Sequence, residues 1–164
     1  MEKKEVAKSP EERAVNDFTE IVYKLYRGMR NGVEFGKSFR SRSRETPLFL
    51  YETGLIAALS FIYAKTEDAD KKTYKLISDY IAKRETARKL EILNSTEGGY
   101  AAYLYLLLLE VSRLIPGKGI DPGNPLSCIN ALIGSERLLA ILPSLLMPYL
   151  LEVKRLAEAL LPSG

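Results

Sequence analysis

Apolar residues recur at steps of three and four along most of this chain. Ala14, Phe18, Ile21, Val22, Leu25 and Met29 make one stripe, the spacing that keeps one face of an α-helix apolar. Ser9-Pro10-Glu11-Glu12 stands in front of it. The serine can take an orphan backbone N–H, the proline suits the first helical position, and Glu12 can reach back to the cap. Arg13, Glu20, Lys24 and Arg27 fall on the other side, and the helix is expected to fray near Gly28 to Gly32. The segment from Asn31 to Glu45 reads as a loop.

A second helix is predicted from Thr46 as cap and Pro47 in the first turn to about Ala64. Leu48, Tyr51, Leu55, Leu59 and Ile62 share one face, and Phe49, Leu50, Ile56, Phe61 and Tyr63 cover most of the rest. A helix apolar nearly all round belongs at the centre of a bundle, or in a bundle that also meets a partner. A third helix, about Asp70 to Lys83, turns Tyr74, Ile77, Tyr80 and Ile81 inward and Lys71, Lys72, Lys75, Asp79 and Lys83 outward. Arg84 to Asn94 continues it or forms a short helix of its own. A fourth runs from about Ser95 to Ile115, its first turn weakened by Gly98 and Gly99.

PGKGIDPGNP, Pro116 to Pro125, is the clearest loop. A short helix follows over about Ser127 to Ile133, and Ser135 can cap a last helix reaching about Leu160. Pro143 and Pro148 lie inside it and are expected to kink it, since each removes a backbone hydrogen bond. Strand signals are scarce. The pattern therefore predicts an all-α fold, a single-domain bundle of about five to seven helices over 1–164, with 1–8 disordered.

Composition narrows the chemistry. The chain has 164 residues, which suits one domain, and its apolar fraction of 46% can build an ordinary core. It has no histidine, which removes the commonest general base and metal ligand. The single cysteine, Cys128, sits in SCINALI as a core thiol. One unpaired cysteine fits a reducing, cytoplasmic setting. Asp68 with Asp70, and Glu85 with Glu91, read as solvated charges rather than an acid/base or metal site. GMRNG and GKG match no phosphate loop. No catalytic residue, metal ligand or cofactor is predicted. MEKKEVAKSPEER has no apolar core of a secretion signal, and the apolar runs Tyr100 to Leu109 and Leu138 to Leu151 fall short of the roughly 20 residues that span a bilayer, so no membrane contact is expected.

Charge is unevenly spread. From Tyr23 to Arg44 seven basic residues (Lys24, Arg27, Arg30, Lys37, Arg40, Arg42, Arg44) face one acid, Glu34, a net of +6; with a total of +3, the rest of the chain sums to −3. Arginine's planar fork suits phosphate. In an extended segment alternate residues point the same way, so Arg40, Arg42 and Arg44 could form one row that holds a sugar-phosphate backbone without reading sequence. A solvated loop pairing with acidic helices accounts for the same charges. Tyr23 and Tyr26, beside Lys24 and Arg27, suit core packing with the hydroxyl at the rim, base stacking or a subunit contact.

Pro47, Gly54-Leu55, Leu59, Phe61 and Ala64-Lys65 form a Pro-x6-Gly-Leu-x3-Leu-x-Phe-x2-Ala-Lys pattern. It resembles the signature helix of the small subunit of the type III-B CRISPR effector, the Cmr complex. The chain length, a long first helix with basic residues and the closing VKRLAEALL are similar to that family as well. Gly54 in this setting is expected to let a neighbouring helix approach, and Lys65 to end the helix where a cation favours the dipole. Glu45-Thr46 before the proline, and leucine in place of C-terminal aromatics, depart from the pattern. They leave open the small subunit of a type III-A or other CRISPR effector, beside a free-standing helical protein-interaction module.

The resemblance implies a non-catalytic protein in a cytoplasmic antiviral ribonucleoprotein. Its partners would be other Cmr effector subunits, copies of itself stacked along the complex, and guide and target RNA held by the backbone. The RNA-binding candidates are Arg40, Arg42, Arg44 and Lys65, then Lys24, Arg27 and Arg30; Lys154 and Arg155 are weaker.

Overall fold

A computed structural model describes residues 8–66, 73–83 and 95–164. Every regular element among them is helical: α1 (Pro10–Asp17), a π-helical stretch (Phe18–Tyr23), α2 (Lys24–Gly28), α3 (Gly32–Thr53), α4 (Leu55–Thr66), α5 (Thr73–Lys83), α6 (Ser95–Leu114), α7 (Pro125–Leu132) and α8 (Glu136–Leu160). Asp68, Asp70, Lys71, Lys72 and the segment 84–94 with Glu85 and Glu91 lie outside the described residues, as do 1–7 of the stretch expected to be disordered.

α1 starts as the capping pattern dictates. Ser9 Oγ accepts from the Glu12 N–H at 3.1 Å, with Pro10 in the first turn. Ala14, Phe18, Val22, Leu25 and Met29 are all buried. Steps of four advance this line by about 40° each on an ideal α-helix. The wider π turn over Phe18–Tyr23 absorbs the drift and keeps Phe18 and Val22 on the same buried face.

α6 is the central element and packs on α3, α4, α5 and α8. Ala101 to Leu104, Leu106 to Leu108 and Val111 are buried all round it, so the Tyr/Leu run is core, as its length implied. Gly98 and Gly99 set the crossing with α3: a Cβ on Gly99 would collide with the Ser38 hydroxyl and lie 2.8 Å from the Phe39 nitrogen. Phe39 then reaches across to Phe18 and Tyr103, with ring centroids 6.0 and 5.6 Å apart.

Three local expectations are corrected. The loop over Asn31 to Glu45 is helix: α3 begins at Gly32 and runs through Thr46 and Pro47, both buried in its interior. Phe35, Gly36, Phe39, Ser43, Thr46, Pro47 and Leu50 are its buried stripe, at helical steps that the serines and arginines between them mask. Gly54 is not a close-packing glycine. Nothing lies within 4 Å of the position a Cβ would take, and its φ of 89° with ψ of 168° is a conformation open essentially to glycine alone. It divides the expected second helix into the end of α3 and α4, which fold back so that Phe49 and Phe61 meet at 5.3 Å. Leu48 and Tyr51, assigned to an apolar face, are 61% and 78% exposed.

α8 remains helical through Pro143 and Pro148. Its inner face is Leu142, Leu146, Tyr149, Leu150, Val153 and Ala157. Its outer face carries exposed Ile141, Leu145, Pro148 and Leu151. No helix among the described residues is long and apolar enough to cross a membrane.

Candidate nucleic-acid interface

Because α3 is helical, Arg40, Arg42 and Arg44 do not form one row. Alternate residues on an α-helix point about 160° apart, so Arg42 leaves the side shared by Arg40 and Arg44. Its side chain is 13% exposed. Nη2 donates to Glu45 at 2.7 Å, and the guanidinium lies over the Tyr100 ring at 4.4 Å. Arg42 is thus used to pin α3 to α6. Arg40 is half-buried and donates Nη1 to the Leu161 carbonyl at 3.0 Å, holding the end of the chain against α3. Arg44 is exposed and makes no ion pair or hydrogen bond with the described residues.

The remaining candidates lie on α2 and the turn after it, on α4 and on α8. Arg27 and Arg30 are exposed, and Tyr26, just before Arg27, packs against Gly36 of α3. This brings the turn after α2 beside the first half of α3. The Arg27 guanidinium sits 5.9 Å from the Tyr23 ring, and Tyr23 and Tyr26 meet obliquely at 6.1 Å; both are half-buried and pack against the core. Lys24 is exposed and tied to Glu20 at 2.6 Å. Lys65 is exposed at the end of α4, with Nζ 5.6 Å from the Phe61 ring. Lys154 and Arg155 belong to α8, where Arg155 pairs with Glu152 at 2.7 Å.

Lys37 was counted in the basic stretch but not singled out. Its side chain is 38% exposed, against 13% for Arg42, and it lies seven residues before Arg44 on α3. Two helical turns separate them, so both cations project along one line. Lys37 has only a long contact to Glu34, at 3.7 Å. The step of seven was readable in the sequence once the segment was taken as helix.

The strongest electrostatic feature lies elsewhere and is internal. Glu110, fully buried, accepts from Arg13 Nε and Nη2 at 2.9 and 2.8 Å. Asp17 accepts from Arg113 Nη1 and Nη2 at 2.6 and 2.9 Å and from the Tyr149 hydroxyl at 2.7 Å. Two carboxylates and two guanidiniums thus clamp α1, α6 and α8 in a neutral cluster. Hydrogen bonding to Glu110 holds the Arg13 pKa above its ordinary value, and hydrogen bonding to Asp17 does the same for Arg113. Burial raises the Tyr149 hydroxyl, and Asp17 pushes it further. Arg13, expected on the solvent side of its helix, belongs to this clamp. Its partner is 97 residues away, which no local pattern announces.

Cys128 is buried, and its thiol donates to the Asp121 carbonyl at 3.0 Å. Burial raises its pKa, the opposite of what a nucleophilic thiol needs. Among the described residues no three carboxylate or thiol side chains gather as a metal site.

Fold and side-chain chemistry together define an all-α bundle whose buried acids, Asp17 and Glu110, are held by arginines. Comparison with known proteins specifies the family. The family profile described as CRISPR-associated protein (Cas_Cmr5) matches residues 13–106. The CRISPR system CMR subunit Cmr5 of Saccharolobus solfataricus is 32% identical over 133 residues, covering 76% of this chain and 80% of that protein. The chain belongs to the Cmr5 family. A subunit of the type III-B Cmr-beta complex, solved by cryo-EM bound to non-cognate target RNA, has the same fold. Its TM-score is 0.70 at 23% identity, over 97% of this chain and 100% of that one. A chain of the Cmr-beta complex bound to cognate target RNA and AMPPnP matches at a TM-score of 0.66 and 23% identity, over 94% and 97%.

Proposed function

We propose that this chain is the non-catalytic small subunit of a type III-B CRISPR effector, and that it helps hold guide and target RNA through the basic surface of α2 and α3. The observation that carries the reading is the pair of outward cations Lys37 and Arg44 on one line of α3, with Arg27 and Arg30 beside its start. Membership of the Cmr5 family supports the assembly, and the RNA-bound complexes in which its fold recurs supply the ligand class. Arg40 contributes by positioning α3 against the chain end, Arg42 by packing, and Lys24 and Lys65 extend the positive field at the margins.

Other Cmr subunits and further copies of this chain are the proposed protein partners, in cytoplasmic antiviral defence. The exposed apolar line Ile141, Leu145, Pro148 and Leu151 on α8 is suited to such contacts, because a contiguous apolar patch is uncommon on a protein that works alone. The type III-A alternative gives way to the Cmr5 assignment.

Effector assembled with Lys37→Ala/Arg44→Ala tests the reading by RNA binding across a salt series. Contacts of this kind make log affinity fall with log salt by roughly 0.7 per phosphate on a single strand. The double variant is expected to assemble normally, bind RNA more weakly whatever its sequence, and show a shallower salt slope. Unchanged affinity and slope in a fully assembled complex would remove RNA from this surface.

A further inference from the structure

Lys37 and Arg44 are two terms of a series whose third is Tyr51. The three lie at steps of seven on α3, so they follow one line that drifts by only about 20° per step and advances about 10.5 Å each time. The line is basic at its first two positions and aromatic at its last. Tyr51 is 78% exposed, and Leu48, one turn before it, is 61% exposed. Such exposure does not come from a loose helix end. Leu50 beside it is fully buried, and the Gly54 N–H closes the helix onto the Leu50 carbonyl at 2.9 Å. Thr53 donates its hydroxyl to the Phe49 carbonyl at 2.6 Å. The backbone is held, while the ring stands in solvent with its faces free of the aromatic and cation contacts made by Tyr23, Tyr63, Tyr100 and Tyr103.

We infer that Tyr51 is a nucleobase-stacking platform, on which an unpaired base of an RNA strand rests while Arg44 and Lys37 hold phosphates further along the same strand. A tyrosine face accepts any base, so the site adds affinity without sequence preference. Leu48 beside the ring continues the apolar floor. The inference rests on the proposed RNA reading and adds to it a contact that charge alone does not provide.

The test compares two probes on effector assembled with each variant: a single-stranded oligoadenylate, and a chain of the same length made of abasic ribose phosphates. Tyr51→Ala is expected to lower affinity for oligoadenylate about tenfold, the scale of one lost base–aromatic stack, with affinity for the abasic chain unchanged. Tyr51→Phe should keep the wild-type value, and Tyr51→Leu, apolar but without a flat ring, should behave as the alanine variant. Arg44→Ala should weaken both probes. Equal affinity of wild type and Tyr51→Ala for oligoadenylate, while Arg44→Ala still weakens both probes, overturns the stacking site and leaves the RNA reading standing. Indifference of both probes to both variants overturns the two together. Loss of the chain from the effector on Tyr51→Ala, repaired by Tyr51→Leu, assigns the ring to a subunit contact and overturns the inference as well.

Discussion

Arg113 on α6 grips both carboxylate oxygens of Asp17 at the end of α1, 96 residues earlier, with hydrogen bonds of 2.6 and 2.9 Å. Asp17 is 4% exposed, so the guanidinium is what makes its burial affordable, with the Tyr149 hydroxyl as the third donor. Removing one partner of such a pair strands a buried charge. Arg113→Ala is expected to cost about 3 kcal/mol, the lower end for a broken buried pair, because the arginine side chain itself keeps 32% exposure. Replacing both Asp17 and Arg113 by leucine should cost less than the single change. Urea midpoints of Asp17→Leu, Arg113→Leu and the double leucine variant measure this directly; additive losses would show that the pair is not coupled.

Alkaline pH should destabilise the protein through its buried phenols. Burial raises the pKa of Tyr74, Tyr103 and Tyr149 in the folded chain. Unfolded, each loses its proton near pH 10. The native state therefore holds protons that the unfolded state releases. The stabilisation is intact below about pH 10 and declines as pH rises beyond it. Each group contributes a slope of up to about 1.4 kcal/mol per pH unit. Tyr149→Phe should flatten the decline of the urea midpoint between about pH 10 and pH 11; a variant as steep as wild type would exclude Tyr149 from the effect.

Arg42 and Arg44, two residues apart, should respond oppositely to mutation. Arg42→Ala removes the stack on Tyr100 and the ion pair with Glu45, and is expected to cost roughly 1–2 kcal/mol of stability with little change in RNA affinity. Arg44→Ala should leave thermal unfolding unaltered and lower RNA affinity. Paired melting curves and binding isotherms separate the two; equal RNA losses would return both arginines to the interface.

Two glycines should resist alanine for different reasons. Gly99→Ala drives a methyl into Ser38 and the backbone at Phe39, an overpacking expected to cost about 1–3 kcal/mol. Gly99→Ala combined with Ser38→Gly should recover part of that. Gly54→Ala meets no neighbour but forces a side chain into positive φ, at about 1–3 kcal/mol, and no second-site reduction in size should relieve it. Chemical denaturation of these three variants distinguishes collision from backbone strain.

Much of the helical framework was legible from the chain. The Ser9 cap, the stripe from Ala14 to Met29, the start of α6 near Ser95, the Pro116–Pro125 turn region and the reach of α8 all follow from local chemistry and a period near 3.6. The site was less legible. Serines and arginines at alternate positions between Ser38 and Arg44 look like an extended basic loop. Their side chains outweigh, in any local count, the buried stripe of Phe35, Gly36, Phe39, Ser43 and Pro47. Pro47 reads as a helix start, yet it sits inside a helix because tertiary packing of the turns on either side outweighs one missing N–H.

The sequence by itself determined the class of fold, the lack of histidine chemistry, the placement of Cys128 in the core and the concentration of positive charge between Tyr23 and Arg44. These depend on composition and on neighbours within a turn or two. Only the tertiary structure decided what each charge does. It separated Arg42 from Arg44, gave Arg13 to Glu110 and Arg113 to Asp17, made Gly54 a hinge-like break instead of a packing glycine, and turned Tyr51 outward. Arg13 and Arg113 find their partners nearly a hundred positions away, brought within 3 Å by the burial of α6, and no local periodicity carries that information.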